Sequence, residues 1–500
     1  LFSLLWVGYG FDFLNTWLKS RIGSSALKKL RLDVYHHIER LPIREFDKEP
    51  VGRLMTRVMN DVDQINQMLS ESIVPLFGNL ILFLMILTAM FYLDYRIGLL
   101  VLILLPPLLF LTDYFRRIQR ACYAVIRTEV SRMNSFVQEH LAGVMVIRHF
   151  HLEDREFEKF EEINIELSKS YLKTQENFSF YISGNDFLQS IALIGSYFLL
   201  SHQVPFDAGT FFTFTLYVMM IFRPLADLAE RYNVLQAAFA AADRIFEVLD
   251  REIEPDIGKE ISDIESIEFK DVWFAYKENE WVLKGFNLKI DTGETVGIVG
   301  KTGSGKTTLI SLILRFYDVK KGELLINGIP IQDISLSSLR KKFGIILQDP
   351  VLFSGTLRDS LTLYDPQISD KEAAKALDFI GFSPNELDRK ILERGKSLSS
   401  GEMQLISLAR VYCHRGKFLL LDEATANVDP LTERKVQEAL NNLLRERGAL
   451  VIAHRLSTLK DVSKIVVMSN GRIVESGTHD ELIALKGLYH KLYLLQFAVE

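Results

Sequence analysis

The sequence predicts an all-α transmembrane helical domain followed by an α/β domain. Long apolar segments with almost no charged residues occur only in the first half of the chain. Beyond residue 262, short apolar runs alternate with helical stretches, a pattern typical of strands and helices around a largely parallel sheet. The predicted strands are 267–269, 296–299, 343–347, 418–421, 450–453 and 465–468. At 500 residues the chain is too long for a single hydrophobic core, which also favours two domains.

Five apolar segments have the composition of membrane-spanning helices. They cover residues 1–18, 72–93, 97–112, 187–206 and 208–222. A span needs about 20 residues, so the first segment is slightly short, and Pro106 and Pro107 are tolerated as kinks inside a helical bundle. Asp12 and Asp186 lie near span ends, where a carboxylate is either hydrated or able to recognise a cationic substrate.

The distribution of basic residues predicts the orientation in the membrane. Lys and Arg concentrate in the long segments 21–71 and 113–186, whereas the turns 94–96 and 201–207 contain a single basic residue, Arg96. By the positive-inside rule the long segments are cytoplasmic, and the C-terminal half then lies in the cytoplasm too. We therefore expect a multi-pass protein of the cell membrane.

The composition indicates three regions and excludes one class of partner. The predicted regions are a transmembrane domain with long cytoplasmic helix extensions at 1–230, a connecting helix and linker at 231–262, and the α/β domain at 263–500. The net charge of −6, without a block of like charges, argues against nucleic acid as a partner. Cys122 and Cys413 lack metal-ligand spacing, so we expect buried thiols in a reducing compartment.

A glycine-rich loop between a predicted strand and a predicted helix indicates a phosphate site. The sequence VGIVGKTGSGKTT at 296–308 contains G-x-x-x-x-G-K-[ST]. Glycines let backbone N–H groups surround an anion, Lys306 adds a positive charge, and Thr307 places a hydroxyl for Mg²⁺. The α/β domain is therefore predicted to be a P-loop NTPase. The alternative is a glycine-rich turn that binds nothing.

Polar residues follow three further apolar runs. Asp422 is predicted to hold Mg²⁺ through water, and Glu423 to orient or deprotonate the water that attacks the γ-phosphate. Gln348 would sense Mg²⁺ or that water, and His454 would donate a hydrogen bond to a γ-phosphate oxygen. Taken singly, such residues are often incidental or merely solvated. Their order and spacing together support a nucleotide site.

Together these motifs resemble the ATP-binding cassette of ABC transporters, and the N-terminal half resembles the membrane domain of type IV ABC exporters. The motif set, in the family's usual order, comprises 300–308, Gln348, 398–402, Asp422 and Glu423, 426–429 and His454. Residues 41–65 resemble the first cytoplasmic coupling region of those exporters. The resemblance begins within the second family helix, so we expect a further helix to precede Leu1.

The resemblance implies roles for individual residues. Tyr276 would stack on adenine, although the residues alone favour a strand-core aromatic, and Glu393 resembles an acid that contacts the partner's coupling helix. The implied ATP contacts are Tyr276, Gly300, Lys301, Thr302, Gly303, Ser304, Gly305, Lys306, Thr307, Thr308, Ser399, Ser400, Gly401 and Glu402. Mg²⁺ would be held by Thr307, Gln348 and Asp422, and catalysis would use Glu423, His454 and Gln348.

The family mechanism implies a dimer with two shared ATP sites. This chain departs from the family pattern in the signature motif that it would contribute to one of those sites. Two cassettes enclose two ATP molecules, each site combining one chain's glycine loop with the other chain's signature, usually LSGGQ. Residues 398–402 read LSSGE instead, so Ser400 replaces a glycine and Glu402 replaces a neutral amide. Met403 replaces a common arginine, and 426–429 departs from the usual SALD. With its catalytic residues intact, the chain resembles one member of a heterodimeric exporter, which we favour over a homodimer.

The expected function is ATP-driven export of hydrophobic or amphipathic drugs, lipids or peptides by this chain and a second half-transporter in the lipid bilayer. A soluble ABC ATPase of DNA repair or translation is excluded by the apolar spans. An ATP-gated channel or a regulatory subunit with low turnover stays open because of the altered signature. Aromatic residues between 180 and 217 either line a substrate pocket or face lipid and neighbouring helices.

Overall fold

The computed structural model describes residues 2–201, 208–422, 430–445, 447–453, 459 and 462–497. Over its described residues the N-terminal half is helical, which confirms the predicted class. Its helices are α1 Phe2–Glu39, α2 Ile43–Lys48, α3 Val51–Thr56, α4 Val62–Gln67, α5 Val74–Leu93, α6 Tyr95–Ala142, α7 Val144–His149, α8 Glu153–Ser201 and α9 Ala208–Leu249.

The long helices extend the apolar segments well beyond the thickness of a bilayer. Helices α6 and α8 contain 48 and 49 residues, about 70 Å at 1.5 Å per residue, against about 30 Å of hydrocarbon. Among described residues, Pro75–Leu93 and Tyr95–Ala142 are long and apolar enough to cross a membrane, and Gly209–Phe222 is a shorter apolar helix. The predicted spans 1–18 and 187–206 are helical where described, but neither is among the spanning candidates found within the described residues.

Helices α5, α6, α8 and α9 share an apolar core. Met90, Ile97, Val101 and Phe214 are buried in it. The same helices also expose large apolar side chains, including Tyr92 at their outer surface. A bundle that is apolar both inside and outside fits a lipid environment, in which backbone polar groups are satisfied within each helix.

Two π-helical segments lie between α3 and α5. They are Arg57–Asp61 and Met68–Ile73. Apolar residues of this part of the sequence repeat every four positions at Leu54, Val58 and Val62, a spacing slightly wider than an α-helical turn. Because a π turn contains more residues than an α turn, it keeps such positions on one face, and Leu54 and Val62 are both buried.

Asp61 in the first π segment is a buried carboxylate with two cationic partners. The guanidinium of Arg244 on α9 donates from Nη2 and Nε to its two oxygens at 2.6 and 3.1 Å. Arg57 lies 3.5 Å away on the same segment. This two-pronged ion pair between Arg244 and Asp61, called the buried fork below, joins α9 to the segment between α3 and α5.

The C-terminal half is an α/β domain, also as predicted. Its strands are β1 Ser266–Ala275, β2 Trp281–Asp291, β3 Thr295–Gly300, β4 Lys321–Ile326, β5 Ile329–Pro330, β6 Phe343–Ile346, β7 Gly355–Thr356, β8 Lys390–Ile391, β9 Phe418–Asp422, β10 Gly448–Ile452, β11 Lys464–Ser469 and β12 Arg472–Gly477. Its helices are α10 Lys306–Ile313, α11 Leu336–Arg340, α12 Leu357–Thr362, α13 Asp370–Phe379, α14 Ser400–His414, α15 Pro430–Leu444, α16 His479–Leu485 and α17 Leu488–Phe497.

The central sheet has the strand order β12-β11-β3-β10-β9-β6, and every neighbouring pair is parallel except β11 and β12. Five of the six predicted strands lie in it. The sixth, predicted at 267–269, belongs to β1 in a separate antiparallel sheet of order β2-β1-β4-β5. Apolar side chains from both sheets form one core, whereas α12, α13 and α14 pack in another.

The chain divides into two compact units. One contains Leu1–Glu39 and Pro50–Arg251, and the other contains Arg40–Glu49 and Glu252–Glu500. Helix α2, within the segment that resembles the coupling region, therefore groups with the α/β domain. The predicted boundary at residue 230 falls inside α9, which continues unbroken to Leu249.

Replacing Asp61 with asparagine should lower the thermal stability of the chain. The substitution replaces the buried carboxylate that Arg244 and Arg57 contact with a neutral amide, and loss of such a charged hydrogen bond costs about 2 kcal/mol. Asp63→Asn is the matched control, because Asp63 is two residues away and pairs with Arg31 at the surface. The measurement is thermal unfolding in lipid nanodiscs. Equal losses for the two variants would contradict a structural role for the buried fork.

Candidate nucleotide site

The parallel strands bring the predicted site residues to one edge of the central sheet. The glycine loop follows β3, Asp422 is the last residue of β9, and Gln348 comes two residues after β6. Strand β10 separates β3 from β9, so the loop and Asp422 are two strand spacings apart, about 10 Å. Such a gap accommodates a phosphate group with its counter-ion. Glu423, residues 426–429 and His454 lie outside the described residues.

The glycine loop has a backbone shape that only glycine adopts without strain. Gly303 and Gly305 have φ angles of 80° and 98°, and a Cβ atom at Gly303 would meet nothing within 4 Å. Helix α10 begins directly afterwards at Lys306. Open space above the loop and a helix N-terminus behind it are the features that an anion requires.

Lys306 and Ser304 direct polar atoms into this loop. Lys306 is 6% exposed, and its ammonium donates to the Gly300 carbonyl at 2.8 Å and the Lys301 carbonyl at 3.2 Å. The Ser304 hydroxyl is buried and has no hydrogen-bond partner within the described part of the chain. A buried hydroxyl without a partner costs free energy, and a phosphate oxygen supplies the missing acceptor. The loop residues therefore fit a nucleotide phosphate.

The remaining residues predicted at the loop differ in exposure. Lys301, Thr302 and Thr307 are exposed, whereas Thr308 is buried. Gly300 is closely packed, because a Cβ there would lie 2.4 Å from the Met468 carbonyl oxygen. The exposed side chains surround the open face of the loop, and the buried residues anchor it to the sheet.

Tyr276 is exposed at the end of β1 and is not a strand-core aromatic. Half of its surface is accessible, and its hydroxyl lies 3.2 Å from the Thr308 hydroxyl. Its ring meets Tyr317 edge-on with centroids 5.0 Å apart. The Tyr317 hydroxyl in turn donates to the Asp47 carboxylate in α2. Tyr276 is thus joined to the glycine loop on one side and, through Tyr317, to α2 on the other.

The segment predicted to be the signature forms the start of α14. Ser399 is the N-cap residue, and its hydroxyl accepts from the Glu402 N–H. Glu402 completes a capping box, because its carboxylate accepts from the Ser399 N–H at 2.8 Å. Ser400 is exposed and Gly401 is buried. The glutamate that departs from LSGGQ therefore stabilises the helix start.

The other end of α14 is buried against α12. Arg410 donates to the Ser360 and Val351 carbonyls, and His414 Nε2 lies 3.1 Å from the Leu361 carbonyl. Burial lowers the pKa of His414 and raises the pKa of the Cys413 thiol to about 11. The expectation of buried thiols is right for Cys413, whereas Cys122 is only partly buried.

Comparison with known proteins identifies the family. Residues 1–225 match the ABC transporter transmembrane region, and residues 283–426 match the ABC transporter family. An ATP-dependent lipid A-core flippase of Syntrophus aciditrophicus is 36% identical over 98% of this chain and 83% of its own length. The chain belongs to the ABC transporter family.

Two further similarities agree with an exporter. The "Probable multidrug resistance ABC transporter ATP-binding/permease protein YheH" of Bacillus subtilis is 34% identical over 97% of this chain and 74% of its own length. The structure of a bacterial Atm1-family ABC exporter with ATP bound matches with a TM-score of 0.77 at 25% identity, covering 98% of this chain and 88% of that one. This ABC exporter is a multi-pass membrane protein that binds ATP and couples its hydrolysis to transport.

Sequence reasoning missed several residues that contact the segments carrying the predicted site. Tyr317 and Asp47 are linked to Tyr276, whereas Arg389 and Arg410 hold the two ends of α14. The ring of Tyr317 and the guanidinium of Arg410 act through partners distant in the sequence, and no short motif marks such pairs. Glu393, named from the resemblance, is exposed and begins a 3₁₀ turn at Glu393–Gly395 just before α14.

Replacing Tyr276 with alanine should weaken ATP binding about tenfold, because base stacking on an aromatic ring contributes about 1–3 kcal/mol. Tyr276→Phe is the matched control. It keeps the ring and removes only the hydroxyl next to Thr308, so we expect a change of less than about twofold. The measurement is titration with a fluorescent ATP analogue. An equal loss in both variants would show that the hydroxyl, and not the ring, matters.

Mild acid should destabilise the cassette through His414. Its pKa is lowered in the folded chain, so the unfolded chain, with a His pKa of about 6.5, binds the proton more readily. Stability is therefore lost as the pH falls below about 6.5. His414→Gln keeps an N–H donor for Leu361 without a titrating group and should flatten this dependence. Thermal unfolding at pH 7.5 and 5.5 checks it, and an equal decline in both proteins would contradict it.

Proposed function

We propose that this chain is one half of a heterodimeric ABC exporter with two unequal ATP sites. Its glycine loop, Asp422 and Glu423 form the catalytic half of the site that hydrolyses ATP. Its signature, residues 398–402, completes the second site, where hydrolysis is weak. The transported compounds are hydrophobic or amphipathic, and the cassette lies on the cytoplasmic side of the cell membrane.

The shape of the start of α14 is the observation that carries the asymmetry. In the family arrangement, backbone N–H groups of this segment approach the γ-phosphate of ATP. Ser400 adds an exposed side chain at the first helical position, where a glycine would leave the approach open. Glu402 adds a carboxylate at the same helix start, and a negative charge there opposes an anionic ligand. Both changes weaken this signature as a phosphate contact.

The glycine-loop half supports hydrolysis. Lys306 is already directed into the loop, and the loop backbone leaves room for phosphates. Mg²⁺ would be held by the Thr307 hydroxyl, the Asp422 carboxylate and the Gln348 amide, all oxygen donors of the kind that this hard cation prefers. When bound, it would neutralise charge on the β- and γ-phosphates. Asp422 is 9% exposed, so its carboxylate is shielded from bulk water.

The chain's own residues then account for the reaction. Tyr276 stacks on adenine, Lys306 binds the β- and γ-phosphates, and Glu423 orients the attacking water and accepts its proton. His454 donates a hydrogen bond to a γ-phosphate oxygen. ATP favours the closed pair of cassettes only because it makes better contacts there than in the open pair. Helix α2 and its Asp47–Tyr317 contact give the nucleotide end of the cassette a connection to the coupling segment.

Exposed aromatic side chains on the membrane helices support an apolar cargo. Phe180, Phe187 and Phe198 on α8 and Phe212 on α9 each expose more than 60% of their surface. Relatives named for lipid A and for multidrug resistance have similar chains throughout. Asp186, also exposed, is a candidate for contact with a cationic compound. The Asp12 side chain lies outside the described residues.

Pairing and turnover test the proposal together. The tagged chain, isolated from its native membrane, should bring down a second half-transporter with an intact LSGGQ signature and an altered residue after the aspartate equivalent to Asp422. Glu423→Gln should abolish transport of a fluorescent amphipathic dye into inverted vesicles while ATP binding persists. A chain that forms a homodimer with fast ATP hydrolysis would contradict the asymmetry. Ion conduction that persists in Glu423→Gln with ATP bound would indicate a gated channel instead.

A further inference from the structure

The guanidinium of Arg389 contacts the glutamate that departs from LSGGQ. Its Nη2 lies 3.3 Å from Glu402 Oε1, and its Nη1 lies 3.2 Å from Glu386. The other carboxylate oxygen of Glu402 accepts the Ser399 N–H at 2.8 Å. Both oxygens of Glu402 are therefore engaged, one by the helix cap and one by an arginine 13 residues away along the chain.

The backbone around Arg389 holds the guanidinium in this place. Arg389 immediately precedes β8, which pairs with β7. Its carbonyl accepts the Leu357 N–H at the start of α12, at 3.0 Å. Helix α12 itself packs against α14 in the same core. The backbone of Arg389 is thus fixed by hydrogen bonds to neighbouring elements that pack beside α14, the helix whose start the guanidinium contacts.

We propose that Arg389 is a positioning residue for ATP binding. It offsets the charge of Glu402 and keeps that carboxylate folded into the Ser399 cap, so that the helix start stays receptive to an anion. This inference rests on the proposed function, in which residues 398–402 contact the nucleotide of the second site. It also refines that function: the glutamate alone would repel phosphate, and Arg389 limits the repulsion so that ATP is held there even though hydrolysis is weak.

A charge-specific double-mutant cycle tests the proposal. The full chain, in nanodiscs with the partner that co-purifies, is titrated with a fluorescent ATP analogue in the presence of Mg²⁺. Arg389→Ala should lower the apparent affinity about fivefold, as expected for loss of a partly exposed ion pair. Arg389→Lys should recover most of it. In a Glu402→Gln background, Arg389→Ala should change the affinity by less than about twofold, because no carboxylate is left to offset.

Two controls separate the possible outcomes. Arg358→Ala removes an arginine of similar exposure that pairs with Asp370 and Asp388, and it should leave ATP affinity unchanged. Ser399→Ala reports whether the signature contacts ATP at all. If Ser399→Ala weakens binding and Arg389→Ala does not, the role of Arg389 is wrong and the proposed function stands. If neither weakens binding, both are wrong.

One further result would overturn the role of Arg389. An equal loss from Arg389→Ala in the wild-type and Glu402→Gln backgrounds would show that the arginine supports the fold and does not act on charge. Raising the salt concentration adds an independent readout, because screening should shrink the difference between wild type and Arg389→Ala. A structural role predicts no such dependence on salt.

Discussion

Parallel pairing of β3, β10, β9 and β6 is the constraint on which the nucleotide site depends. Because neighbouring strands run in the same direction, the loops after them emerge at one edge of the sheet. A glycine loop, a buried carboxylate and an amide that are far apart in the sequence meet there. An antiparallel arrangement would send alternate loops to opposite edges, and no common site would form. The antiparallel sheet β2-β1-β4-β5 accordingly contributes Tyr276, predicted to contact adenine, from its own strand end and supplies none of the predicted phosphate contacts.

Glu402 in the predicted signature has two opposing effects. It stabilises the start of α14, and it places a negative charge where the proposed contact with ATP lies. Glu402 stabilises the start of α14 through a capping box, as a neutral glutamine can also do. Its charge, however, lies at the end of the helix that would face an anion. The structure places Arg389 beside it, and the partly buried side chains of Arg410 and His414 hold the far end of the same helix. The helix is therefore firmly held while the electrostatics of its first turn depend on one ion pair.

Much of the fold follows from local patterns. The parallel strands of the central sheet are continuous apolar runs because both of their faces are buried, one against helices α12 to α14 and the other in the core shared with the antiparallel sheet, so their positions were predictable. Strand β1 mixes buried and exposed residues and pairs with β2 and β4, which are not continuous apolar runs in the sequence. The separate antiparallel sheet that they form was not predicted. Helix α9 continues through Pro224 and through the change of composition near residue 231, on which the predicted boundary rested. Proline is tolerated there because a bundle can satisfy the freed backbone groups.

The amino-acid sequence by itself determined the class of both domains, the phosphate loop and the ABC family, because these depend on hydropathy, spacing and short motifs. Only the tertiary structure decided that Tyr276 is exposed beside Thr308, that α2 groups with the cassette, and that Glu402 is paired with Arg389. These facts depend on contacts between segments distant along the chain. Side-chain charge is visible in a sequence, but whether that charge is offset depends on which atom lies next to it in space.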